Sequence, residues 1–154
     1  MRSWLLRTAV LVLAFATLSA AAEASTIATY IAPQPDSPVQ ITGCYGSLRY
    51  VNNGWGTHFN VLDTGVSFRN DSPKLVVAVL ARFELSSVFG DVMDNLFGQS
   101  AGHFSTGVVV DGNKWSTTDT WPGLGIVRCS VSRILFSDGS TWAATGMPSP
   151  SPGP

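Results

Sequence analysis

The chain has 154 residues, of which 12% are charged and 45% are hydrophobic, and its formal net charge is −1. A chain this close to neutral lacks the basic face that nucleic-acid binding requires and the polybasic patch that anionic lipid attracts. Few charges together with 15 glycines are typical of an all-β extracellular domain. We therefore expect neither nucleic acid nor a membrane as a partner of the mature chain.

The first 24 residues are typical of a secretory signal peptide. Arg2 and Arg7 form a charged start, an apolar run follows from Thr8 to Leu18, and small residues lead up to Ala24. This layout predicts cleavage after Ala24 and a secreted protein, extracellular or periplasmic. The alternative is a membrane anchor, which needs about 20 apolar residues, roughly twice the length of this run. Cleavage leaves about 130 residues, enough for one domain with its own core.

Proline-rich segments flank the body of the chain. Residues 25–37 contain Pro33 and Pro35 and are interpreted as an extended leader before the first strand. Residues 147–154 form a tail in which proline alternates with small residues, a composition that cannot build a core. We expect this tail to be disordered. Residues 38–146 remain as the predicted β-sandwich domain.

Two cysteines, Cys44 and Cys129, are predicted to form one disulfide bond. An even pair in a small secreted domain is most often structural. The alternatives are two free thiols or a metal pair. Zinc needs more ligands, and the spacing of His58 and His103 matches no zinc module. We therefore expect no metal and no cofactor.

Within the body, apolar residues recur with the period of two that is typical of strands. Residues 75–85 alternate most regularly, residues 65–70 alternate as well, and residues 71–74 contain turn residues, so a hairpin or strand pair is predicted over 65–85. Further strands are predicted at 39–45, 58–62, 104–110 and 126–137.

Irregularities and turn signals complete the predicted architecture. The pattern of the last strand shifts near Ser132 and Arg133, which predicts a bulge, and Asp138-Gly139 predicts a hairpin with a two-residue turn. Residues 88–97 are interpreted as a short helical turn or an apolar loop. The sequence thus predicts an all-β, immunoglobulin-like antiparallel β-sandwich of about seven to eight strands.

Residues 66–74, 102–108 and 129–142 resemble a group of uncharacterised secreted bacterial proteins that are thought to be immunoglobulin-like sandwiches. The resemblance implies a fold and a secreted location but no activity. Antibody-type domains match less well, because a turn precedes Trp55 and Val127 stands where those domains carry a tyrosine.

The leading function hypothesis is a non-enzymatic module that binds a protein or glycan, or that forms a structural part of an assembly. Trp115 and Trp121 in the turn-rich stretch 113–124 are the candidate binding residues. Exposed tryptophans often anchor binding surfaces. The alternative interpretation is that both side chains cap the end of the core.

The second function hypothesis is a dimeric aspartic protease. Asp63-Thr64-Gly65 resembles the Asp-Thr-Gly signature of that family. The chemistry requires two aspartates that share one proton. Because the chain contains one such triplet, two chains would have to pair. A turn between strands is the alternative interpretation of the same three residues.

Overall fold

A computed structural model describes residues 25–52, 58–119 and 121–145. The predicted signal peptide and the predicted tail at 147–154 lie outside these ranges. The described residues form nine strands: β1 (Ser25–Thr26), β2 (Ala28–Ile31), β3 (Val39–Asn52), β4 (His58–Asn70), β5 (Val76–Ser87), β6 (Val92–Phe104), β7 (Val109–Thr117), β8 (Leu124–Phe136) and β9 (Thr141–Ala143). A search of the same residues finds no helix that could cross a membrane.

The strands form two sheets with one hydrophobic core. The first sheet has the order β1-β3-β4-β7, and the second has the order β2-β8-β5-β6, with β9 also paired to β8. Apolar side chains from both sheets belong to a single buried cluster. The prediction of an all-β fold is therefore confirmed.

The core follows from the two-residue periodicity of the long strands. On β5, Val79, Ala81, Phe83 and Leu85 are buried on one face, as the alternation predicts. Opposing side chains come from the first sheet: Val39, Leu62, Val66 and Phe68. Burying one large apolar side chain of this kind contributes about 1.5–3 kcal/mol, so this facing pair of apolar surfaces is the main source of stability.

A disulfide bond links the two sheets. Cys44 on β3 is bonded to Cys129 on β8, which confirms the predicted pairing. The two residues are 85 positions apart in the chain. Closing a loop of that length stabilises the fold by about 4–5 kcal/mol on the chain-entropy estimate.

The predicted leader at 25–37 belongs to the folded body. β1 pairs antiparallel with β3 in the first sheet, and β2 pairs parallel with β8 in the second. Ile27 lies between them and is buried in the core. The Gln34 side chain then bonds the backbone of Val131 on β8 through both its amide nitrogen and its oxygen, at 2.8 and 2.5 Å. The leader interpretation was wrong here, because the prolines follow the two strands and do not interrupt them.

Residues 65–85 do not form a hairpin. β4 lies in the first sheet and β5 in the second, so the turn between them carries the chain across the core. Buried Asn70 holds this crossing: its side-chain nitrogen donates to the carbonyls of Lys74 and Phe104 at 2.9 and 2.8 Å, and its oxygen accepts from the backbone of Ser72. The turn residues were identified, but the change of sheet was not.

Two further segments differ from their predicted forms. Residues 88–97 contain a tight turn and the start of β6, in place of a helical turn or an apolar loop. The predicted strand at 104–110 is divided by a turn at 105–108. Residues 111–112 form a bulge within β7, where Gly112 has a φ of 72°.

The end of the chain's last long strand follows the prediction closely. Ser132 is a bulged residue, since Leu80 pairs with Arg133 while Ala81 pairs with Val131. β8 and β9 form the predicted hairpin. Its loop has three residues rather than two, because the amide of Phe136 bonds the carbonyl of Ser140 across it. Gly139 provides the left-handed residue that such a loop requires, with a φ of 80°.

Candidate binding surface

The hairpin between β5 and β6 ends in apolar side chains that lie in solvent. Phe89 is 89% exposed, Val88 is 63% exposed and Val92 is 58% exposed; Met93 is also exposed. We call these four residues the apolar tip. Single exposed apolar residues are ordinary on protein surfaces, whereas large contiguous apolar patches often mark contact sites, so this group is a candidate.

The backbone of this turn is held in one conformation by Ser87. Its hydroxyl oxygen accepts from the amides of Phe89 and Asp91, both at 3.2 Å. Its carbonyl accepts from Gly90, and its own amide donates to the carbonyl of Asp91, both at 2.9 Å. Gly90 has a φ of 90°, a value that side chains other than glycine rarely adopt. The backbone of the turn that carries Val88 and Phe89 is therefore fixed by hydrogen bonds within the turn itself.

The loop between β7 and β8 packs beside the apolar tip and includes Trp121. The amide of Val88 donates to the carbonyl of Gly123 at 3.2 Å, and the indole nitrogen of Trp121 donates to a carboxylate oxygen of Asp94 at 3.0 Å. The Trp121 ring is half-buried and packs against the core. Trp121, a candidate binding residue, therefore lies beside the apolar tip and is only partly exposed.

Trp115 lies elsewhere. It belongs to β7, and its ring is half-buried against the core, 5.5 Å from the Phe83 ring between centroids. The ring also covers Gly98 on β6. These contacts match the alternative interpretation, in which the side chain completes the core. Of the predicted stretch 113–124, residues 113–117 belong to β7, whereas Trp121 and Gly123 lie next to the apolar tip.

The surroundings of the apolar tip are acidic. Asp91 lies in the turn, Asp94 on the adjoining part of β6, and Asp119 in the neighbouring loop. Across the described ranges, the ion pairs involve other carboxylates and none of these three. Asp91 and Asp94 thus border the exposed apolar group, and neither belongs to an ion pair within the described ranges.

Asp63 lies in the middle of β4 and not in a turn. It accepts from Nε of Arg49 at 2.5 Å and from the Ser116 hydroxyl at 2.6 Å. The hydrogen bond and the positive charge of Arg49 hold the pKa of Asp63 below its ordinary value. Thr64 and Gly65 are buried beside it. The Asp63 carboxylate is thus already engaged by Arg49 and Ser116, whereas a protease pair requires it to face a second aspartate and a water.

The cysteines and histidines considered as metal ligands are not brought together in the described residues. His103 is exposed on β6. In the part of the chain that the structure describes, no three histidine, cysteine, aspartate or glutamate side chains are grouped so that they could hold a metal ion.

Sequence reasoning missed Phe89 and Val92 as candidate contact residues. Both residues belong to the stretch 88–97, for which a short helical turn or an apolar loop was predicted. The available signal was Gly90-Asp91, a pair typical of turns, between two strand-forming apolar runs. A hairpin assignment would have placed the neighbouring apolar residues at its exposed end.

Comparisons with known proteins find no matching family model, no matching curated protein and no matching solved structure. The resemblance to secreted bacterial proteins therefore stays a prediction. Any function has to rest on the geometry of the apolar tip and its surroundings.

Proposed function

We propose that this chain is a secreted, non-enzymatic binding module that docks a protein partner through the apolar tip. The observation that carries the proposal is the 89% exposure of Phe89 on a turn fixed by hydrogen bonds. An aromatic anchor on an ordered hairpin fills a pocket with little further loss of conformational entropy.

The size of the apolar tip suits a hot spot of binding energy. Transfer of one side chain such as Phe89 from water into an apolar pocket contributes about 1.5–3 kcal/mol. Val88 and Val92 flank it and are each more than half exposed. A few buried anchors of this kind dominate the affinity of many protein interfaces.

The chemistry around the apolar tip favours a protein over the other partner classes. Asp91 and Asp94 would repel an anionic lipid surface and attract lysines or arginines beside a partner's pocket. A glycan could donate hydroxyl hydrogen bonds to Asp91 and Asp94 but offers no apolar pocket for Phe89 and the flanking valines. The expected partner therefore has an apolar pocket with a basic rim.

The same proposal includes a location and a fold description. The disulfide supports a secreted chain, because such bonds persist in oxidising compartments. An inter-sheet disulfide and an N-terminal segment divided between both sheets support an immunoglobulin-like sandwich layout. The strand order departs from that of immunoglobulin domains. There, the strand that carries the first cysteine and the strand that follows it lie in different sheets, whereas β3 and β4 are neighbours in one sheet. This layout implies no activity.

The test begins with photocrosslinking in cells that secrete the protein. A benzoylphenylalanine in place of Phe89 should give one defined adduct with a partner protein. The matched control is the same residue in place of Leu135, which is 38% exposed near the opposite end of the second sheet.

The partner identified in this way is then purified for binding measurements. Phe89→Ser should weaken binding about 10- to 100-fold, the range expected from the burial energy of one phenylalanine, while Leu135→Ser leaves it unchanged. Equal adducts at both positions, or an unchanged affinity of Phe89→Ser, would overturn the proposal.

A further inference from the structure

One edge of the second sheet is long and open. β6 has 13 residues and pairs with β5 along one side. Along its other side, no strand in the described ranges is hydrogen-bonded to it. Its central run, residues 94–101, pairs with β5 in unbroken register. Such an edge leaves a row of backbone N–H and C=O groups for another strand to meet.

The other edges have features that discourage pairing with a further strand. β7 has nine residues, and the bulge at 111–112 interrupts it. β3 is partly covered by β1 and has its own register shift after Ile41. β2 and β9 have only four and three residues. Short strands, bulges and covered edges are the usual protections against edge-to-edge association.

The central run of β6 has none of these protections. Residues 95–101 contain no proline and no ionisable side chain. β6 also carries the Ser100 hydroxyl, which is buried and has no hydrogen-bond partner within the described chain. A strand laid along β6 would bring backbone carbonyls, which are hydrogen-bond acceptors, to this part of the sheet.

We propose that β6 pairs antiparallel with β6 of a second copy, so that the two second sheets become continuous across a two-fold axis. A second copy fits because residues 95–101 can face their own counterparts without like-charge repulsion. Pairing of one edge with itself closes at two copies and does not extend into a fibre. A strand of a different protein is not related to β6 by a two-fold axis, so this argument favours a second copy over such a strand.

The dimer would change how the apolar tip is displayed. β6 begins next to that tip, so antiparallel pairing places the two tips toward opposite ends of the joined sheet. The dimer could then bridge two partner molecules. The pairing itself does not depend on the proposed function, because it uses backbone groups of residues 95–101, whereas the proposed function rests on the side chains of the apolar tip.

The test measures the mass of the secreted chain by sedimentation velocity over a concentration series. We expect a dimer for the natural sequence and monomers for Gln99→Lys and Gln99→Glu, since Gln99 is exposed in the central run. An equimolar mixture of the two variants should recover the dimer, because opposite charges then face each other near the axis. Phe89→Ser and Val109→Lys, an exposed position on β7, are controls that should stay dimeric.

Three results would overturn the proposal. The natural chain could remain a monomer at every concentration, or its β6 could bind a different protein in place of a second copy. The folded Gln99 variants could stay dimeric, or their mixture could fail to recover the dimer. Phe89→Ser could abolish the dimer, which would assign the contact to the apolar tip. If circular dichroism shows the Gln99 variants to be unfolded, Ala101→Lys and Ala101→Glu repeat the test on a neighbouring exposed residue.

Discussion

Replacing Gly98 with alanine should destabilise the fold through one contact between the two sheets. A methyl group on buried Gly98 would lie 2.4 Å from Cδ2 and 2.5 Å from Cε2 of the Trp115 ring. Carbon atoms in contact ordinarily lie 3.5–4.0 Å apart, so the ring would have to move by about 1 Å. It cannot move freely, because it packs against Phe83 and the core.

We expect Gly98→Ala to lower the free energy of unfolding by about 1–3 kcal/mol, the usual cost of adding a carbon to a packed core. In a strand, alanine is otherwise favoured over glycine by about 0.5–1 kcal/mol. A net decrease in the free energy of unfolding would therefore be due to the clash with the Trp115 ring. In a Trp115→Leu background the obstacle is gone, and the same substitution should be neutral or stabilising.

Urea denaturation of the four proteins gives the coupling energy between the two positions. Gly43→Ala is a matched control, because its methyl group would lie no closer than 3.3 Å to any neighbour. A coupling energy below about 0.5 kcal/mol is within the range of independent sites. That value would refute the reasoning, as would a stabilised Gly98→Ala.

Three more outcomes follow from the contacts described. Replacing Cys44 and Cys129 together with alanine should lower the free energy of unfolding by about 4–5 kcal/mol in urea titrations; an unchanged value would contradict the loop-closure estimate. Phe89→Ser should leave the thermal midpoint unchanged, because this side chain is 89% exposed; a large fall would mean that the residue supports the fold. The hydrogen bond and ion pair with Arg49 lower the pKa of Asp63, so their stabilisation is present above the unfolded-state pKa of about 4 and is lost as the pH falls through the lower folded pKa. Asp63→Asn should therefore flatten the acid side of a stability–pH profile, and a profile identical to that of the natural chain would contradict this.

Local patterns predicted the strong elements of the fold. Residues 75–85 alternate so regularly that the predicted strand ends only two residues before the observed end of β5 at Ser87. The pair Cys44–Cys129 followed from there being no other cysteine to choose. The bulge at Ser132 was visible because it shifts a regular pattern by one position. Each of these features is encoded by residues close together in the chain or by a unique pairing.

Features that depend on distant contacts were not predictable in this way. The turn residues at 71–74 indicate a reversal, but the hydrogen bonds of Asn70 decide that the chain changes sheet. β2 is recognisable only through its partner β8. Residues 88–97, which include Phe89, were interpreted as a short helical turn or an apolar loop, so the exposed end of a hairpin was not predicted. Phe89 breaks the rule that apolar residues are usually buried. Positions that break such rules are expected where a surface serves binding, since function and not packing selects them.

The parallel pairing of β2 with β8 determines the order in which the chain can fold. Ile31 lies beside Cys129, 98 positions further along the chain, so nearly the whole domain must be synthesised before this strand meets its partner. Pairings so distant in sequence form slowly, because the intervening chain has to be ordered first. Residues 28–31 are synthesised early and stay unpaired, with Tyr30 and Ile31 accessible, until residues 126–129 follow. During synthesis this segment is therefore open to incorrect pairing with other strands.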